Sequence, residues 1–279
     1  MIGGTAAAAA VAWGASDFCG GKASQRADAW AVVVVSQLAS VPLLAGWLWS
    51  TSPDWPARTD MAWAFAAGLT GAVGLVLLYH ALAGGAMSVV APVTAVTSAA
   101  VPVAVGLAFD RIPGATVVAG IGFAVLAIGL IALVPNSGPV RVSAGTVLVA
   151  LAAGCGFGLF YTLLANIGPG AGLWPLAAVR AASLVVGGTL CWYVGSTLRL
   201  TGASLRWALG AGVLDIVANA LYLAATYTGL LSVVAPTASL YPVITVLLAL
   251  VVDRELLRPT QYGAIGLAAL SLVLIHAGG

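Results

Sequence analysis

Three ionisable residues, Asp17, Arg180 and Asp215, stand inside long apolar stretches. A charge near the centre of a bilayer costs about 2.5–3.5 kcal/mol on insertion scales, so residues of this kind read first as parts of an ion or substrate pathway. Asp215, Asn219 and Tyr222 follow one another at i, i+4 and i+7, which puts them on one face of a helix. Trp13 and Asp17 form an i, i+4 pair of the same sort. A polar stripe in an apolar helix must face protein or water. It either lines a cavity or bonds neighbouring helices together. The cavity reading takes Trp13, Asp17, Tyr79, Tyr161, Arg180, Asp215, Asn219, Tyr222 and Tyr241 as its wall. Asp17 and Asp215 are the candidates for holding a proton or a substrate cation. Arg180 either holds a substrate anion or neutralises one of the two aspartates. His80, beside Tyr79, is a third candidate for proton coupling, or a packing histidine.

The elements that carry these residues are membrane helices. Only 6% of the 279 residues are charged and 62% are hydrophobic, whereas a soluble domain carries about a quarter charged residues. The apolar runs are continuous rather than alternating, the pattern of helices and not of barrel strands. The expected spans are 4–22, 29–50, 61–83, 86–108, 114–134, 143–166, 173–196, 204–227, 231–252 and 260–277. Turns rich in Gly, Pro and charge separate them, among them Ser52 to Pro56, Asp110 to Gly114 and Asp253-Arg254-Glu255. The first span lacks the basic flank of a signal peptide and contains Asp17, so it is expected to stay as a helix.

The chain repeats itself. Ser88-Val89-Val90-Ala91-Pro92 recurs as Ser232-Val233-Val234-Ala235-Pro236, an offset of 144 residues. The same offset pairs Gly14 with Gly158, Trp30 with Trp174, Trp63 with Trp207 and Gly68 with Gly212. It sets Trp13 and Asp17 against Phe157 and Tyr161, and Arg180 against Ser36. Two five-helix units are therefore expected, over residues 1–137 and 138–279. Because five is odd, the second unit enters the membrane from the opposite side, an inverted repeat of the kind that supports alternating access. Pro92 and Pro236, with Pro102 and Pro242, interrupt corresponding spans and are candidate hinges, or static bends. Lys and Arg number seven in the loops after odd spans and two after even ones, Arg180 excluded. That bias places the odd loops in the cytoplasm and both termini outside.

Other chemistries find little support. Gly20-Gly21-Lys22-Ala23-Ser24 lacks the first glycine and the hydroxyl of a phosphate-binding loop. Zinc and serine-hydrolase motifs are missing, and Cys19, Cys155 and Cys191 lie singly in apolar runs. No enzyme, cofactor, metal or nucleic-acid partner is expected, and the net charge of +2 is scattered. The expected partners are the lipid bilayer, a small-molecule substrate and protons.

Several residues resemble a known family. They are Trp13-Gly14 followed by Lys22, then Gly71, Tyr79, Ala81, Leu82, Ser88, Ala91 and Pro92, then Pro102, Asp110 and Gly120. The second unit adds Tyr222, Ala225, Ser232, Pro236, Pro242, Glu255 and Gly263. Over essentially its whole length the chain resembles the EamA-like ten-helix carriers of the drug/metabolite transporter superfamily. The family pattern has Glu in the turn after span four, where this chain has Asp110. The resemblance implies secondary active transport across the cell membrane, commonly efflux of amino acids, related metabolites or drugs. It implies cytoplasmic termini, opposite to the charge bias. The reading of a different class is a structural or assembly protein whose polar stripe only binds helices.

Overall fold

A computed structural model describes residues 2–51, 54–83, 87–109, 114–132, 144–252 and 259–278. Helix makes up 87% of it, and no strand occurs among the described residues, in keeping with continuous rather than alternating apolar runs. The helices are α1 (Ile2–Ser24), α2 (Ala29–Thr51), α3 (Arg58–Ala83), α4 (Met87–Phe109), α5 (Ala115–Ala132), α6 (Ala144–Leu164), α7 (Trp174–Val194), α8 (Gly202–Thr226), α9 (Leu231–Ala238), α10 (Tyr241–Val252) and α11 (Pro259–Gly278). Five segments among the described residues are long and apolar enough to cross a membrane by length and composition: α2, α6, α7, α8 and residues 58–78 of α3. Large apolar side chains such as Leu126, Leu148, Val185 and Val273 are exposed, the surface a bilayer would cover. Trp49 near the end of α2, and Trp192 and Tyr193 at the end of α7, are also exposed, where amphipathic rings meet headgroups.

Helix ends follow local chemistry. Pro175 occupies the first turn of α7, where its missing N–H costs nothing. Gly195 ends α7 at φ 71°, and the Ser196 N–H bonds the Cys191 carbonyl 3.0 Å away, closing a Schellman turn. The expected span 231–252 is not one helix. It breaks at Ser239-Leu240 into α9 and α10, because Pro242 has no N–H for the Ala238 carbonyl. The corresponding α4 runs unbroken through Pro92 and the buried Pro102. Pro236 is buried within α9.

Packing is built on small residues. α1 lies against α8 and α10, α3 against α6 and α7, α2 against α8, α4 against α6, and α5 against α11. A Cβ on Gly14 would meet Ile244 and the Tyr241 carbonyl, and one on Gly158 would meet Val101 and the Ser98 carbonyl. A Cβ on Gly68 would strike the Val179 carbonyl and Ala182, and one on Gly212 the Ser36 carbonyl and Ala39. Only glycine allows these backbones to touch. Gly212→Ala is therefore expected to lose roughly 3 kcal/mol through overpacking. Gly210→Ala, whose Cβ would meet only Cys19 Sγ at 3.8 Å, should gain up to about 1 kcal/mol of helix propensity. Thermal melts of the two variants in detergent separate the cases.

Candidate functional site

The sites of interest converge where α1, α2, α3, α6, α7, α8 and α10 meet. α1 is fixed on α8 by the Ser16 hydroxyl, which donates to the Ala211 carbonyl at 2.9 Å. It is fixed on α10 by the Thr245 hydroxyl, which donates to the Gly14 carbonyl at 3.1 Å. Between these helices lies a cavity of about 100 Å³, room for several water molecules. Trp13 and Asp17 of α1, Tyr161 of α6, Arg180 of α7, Asp215 and Asn219 of α8 and Tyr241 of α10 all line it. So do Gln37 of α2, Gly71, Ala72, Leu75 and Leu78 of α3, Phe157 and Phe160 of α6, and Val179 and Ser183 of α7.

Arg180 is the electrostatic centre of the wall. Its side chain is 5% exposed and donates to an Asp215 carboxylate oxygen at 2.5 Å, and a second guanidinium nitrogen donates to the Gln37 side-chain oxygen. The Asn219 amide donates to the Asp215 carbonyl at 2.6 Å. Two polar atoms of these wall residues are buried without a partner, Arg180 Nε and Asn219 Oδ1. A buried polar atom left unpaired costs about 1–3 kcal/mol, so both favour a polar molecule beside them. Asp17 differs from Asp215. It lies deep in the bundle, surrounded by protein, yet its side chain is exposed, because it faces the cavity. It has neither a hydrogen bond nor an ion pair among the described residues.

One expected wall residue does not reach the cavity. Tyr222 is fully buried, its ring packed between Trp13 at 5.4 Å and Tyr161 at 5.2 Å. Its hydroxyl donates to the Tyr161 carbonyl at 3.2 Å, so its polar end is satisfied inside the protein. Trp13 and Tyr161 close the triangle at 5.3 Å. The side chains of Tyr79, His80, Pro92 and Pro242 lie outside the described residues. Gln37 was missed: an uncharged residue in an apolar run draws less notice than an acid, although a lone amide in a membrane span is a signal of the same kind.

Comparison with known proteins follows this geometry. Residues 3–133 match the EamA-like transporter family. This stretch, a little under half of the chain, is similar to an EamA-like transporter domain. This agrees with the drug/metabolite transporter superfamily, whose members are transporters rather than enzymes, and with the five segments that are apolar and long enough to cross a membrane. No curated protein matches the sequence. A solved crystal structure of a protein 12% identical superposes with a TM-score of 0.74, covering 98% of this chain and 94% of its own. At that identity the likeness concerns fold alone, and it extends beyond residue 133. The EamA-like domain supplies Trp13, Asp17 and Gln37 to the cavity wall, while Arg180, Asp215 and Asn219 come from residues after it.

Proposed function

We propose that the chain is a secondary active transporter of small metabolites, such as amino acids or organic cations, and exports them across the cell membrane by alternating access. On this reading, residues 1–137 and 138–279 are inverted five-helix repeats that make ten crossings, α9 and α10 together forming one. The observation that carries it is the make-up of the cavity wall. Trp13 and Phe157, Asp17 and Tyr161, Gly71 and Asp215, and Leu75 and Asn219 are counterparts at the 144-residue offset, and all eight line the cavity. A wall made of counterparts is what a cavity on the pseudo-twofold axis requires.

The glycine contacts support the same symmetry. Gly14 and Gly158 are counterparts, and what each meets, Tyr241 with Ile244 and Ser98 with Val101, differs by 143. Gly68 and Gly212 are counterparts, and Val179 with Ala182 stands to Ser36 with Ala39 at 143 again. In that register Arg180 corresponds to Gln37 rather than to Ser36. Two counterparts that hydrogen-bond to each other lie on the axis itself. The shape of the site is thus duplicated while its charge is not, which suits a carrier that presents one asymmetric site to both sides.

The Arg180 contacts with Asp215 and Gln37 join three helices, and that favours the second reading, a structural membrane protein with no cargo. Reconstitution in liposomes separates the two. Counterflow of a panel of labelled amino acids and organic cations should be saturable for at least one of them. Absence of flux from folded protein across the panel would leave the structural role.

A further inference from the structure

The Trp13, Tyr161 and Tyr222 cluster closes one end of the cavity. Tyr161 lies three residues before the end of α6 and Tyr222 four before the end of α8, the face of the even-numbered loops. All three rings are at most 7% exposed. Beyond them Leu164, Ile167, Leu176 and Leu223 are buried, the Asp60 carboxylate accepts the Gly168 N–H, and the Tyr227 hydroxyl donates to the Gly172 carbonyl. In the other direction the cavity runs past Asp17, Gln37 and Leu78. At 1.5 Å per residue these lie about 8–12 Å from the helix ends on the opposite face.

The counterparts of Trp13, Tyr161 and Tyr222 at the 144 offset are Phe157, Asp17 and Leu78, and all three line the cavity. Resting on the two-repeat reading above, the geometry points to Phe157, Asp17 and Leu78 as a second gate that closes only when a cation is bound to Asp17. In the state related by the pseudo-twofold these three residues take the packing that the aromatic cluster has here. A carboxylate would then stand where Tyr161 stands, between a phenyl ring and a leucine. Enclosing an unpaired carboxylate costs several kcal/mol, so the closed gate needs a proton on Asp17 or a counter-charge beside it.

The residues around Asp17 do not provide that charge. Asp215 of α8 bears the same sign; Tyr161 of α6, Tyr222 of α8 and Tyr241 of α10 are phenols; and Arg180 of α7 is engaged by Asp215 and Gln37. With Asp17 ionised, Asp17, Arg180 and Asp215 together give the wall one uncompensated negative charge. The cargo that balances it is a singly charged organic amine. Aromatic faces and the unpaired Asn219 Oδ1 suit its body and its N–H groups. A zwitterionic amino acid would leave the excess negative charge in place.

Proximity across the second gate reports its closure. In a cysteine-free background carrying Gly21→Cys on α1, one turn beyond Asp17, and Leu78→Cys on α3, a short bismaleimide should link the two positions when the gate closes. We expect phenethylamine to raise the rate of linking about tenfold or more, the scale of one charge-assisted contact, and zwitterionic phenylalanine to leave it unchanged. Adding Asp17→Asn should give fast linking with no amine present. At alkaline pH, where no proton stands in for the amine, fast linking without amine while Asp17 is intact, or an equal response to phenylalanine, would overturn the cation requirement and leave the carrier reading standing. No linking under any condition, Asp17→Asn included, would remove the second gate, and the alternating-access reading with it.

Discussion

Replacing Arg180 by methionine is expected to destabilise the protein by about 3–5 kcal/mol, the cost of leaving one member of a buried ion pair without its partner. Two groups lose their donor at once, the Asp215 carboxylate and the Gln37 side-chain oxygen. The cause is the stranded charge rather than the lost attraction, so a second substitution should reverse most of the effect. Arg180→Met with Asp215→Asn is expected to recover at least half of the loss, because residue 215 then strands no charge. Unfolding in detergent, followed for the wild type, the two single variants and the double variant, measures the coupling directly. Independent, additive losses would mean that the pair contributes nothing as a pair. Arg180→Lys should fall between wild type and methionine, since an ammonium group can meet Asp215 but lacks the planar fork that reaches Gln37 as well.

Trp13→Ala is the second large effect. The indole touches Tyr161 at 5.3 Å and Tyr222 at 5.4 Å and is itself 7% exposed. Truncating a buried tryptophan costs about 3–5 kcal/mol, and the ring pairs contribute some 0.5–1.5 kcal/mol each within it. The functional effect should be as marked, because the cluster separates the cavity from the even-loop face. Trp13→Ala liposomes are expected to leak a small solute that wild-type liposomes retain, while Trp13→Phe, which keeps a ring in the triangle, should hold it. Equal retention by wild type and Trp13→Ala would show that the seal lies elsewhere. Tyr222→Phe removes only the hydroxyl bonded to the Tyr161 carbonyl, and about 1 kcal/mol is expected from it.

Much of this was written in residue types and spacing, and the shortfalls have physical reasons. Helix positions followed from apolar runs too long and too continuous for strands, and most expected ends lie within a few residues of those observed. The break at Ser239-Leu240 was not foreseen as a break: α4 and the α9–α10 segment carry similar prolines, and α4 passes through its own unbroken. Asp17, Arg180 and Asp215 could be picked out because a charge in an apolar span is costly wherever it lies. Which aspartate Arg180 would choose could not, since that depends on the relative placement of α1, α7 and α8. Tyr222 was misplaced for a similar reason. Its i+7 spacing from Asp215 fixes a helix face, but a face that is polar at Asp215 turns, seven residues on, into the packed interior between Trp13 and Tyr161.

The most direct test of a water-filled site inside the bundle is thiol accessibility. Ser183→Cys and Ile216→Cys would each be placed in a protein with Cys19, Cys155 and Cys191 replaced by alanine, in intact liposomes exposed to a membrane-impermeant maleimide. Ser183 lines the cavity and Ile216 is fully buried on the same bundle. The account predicts rapid labelling at 183, slowed by a transported substrate, and none at 216. Labelling at 183 as slow as at 216 would contradict it, for the polar groups around Arg180 would then join helices and line no path.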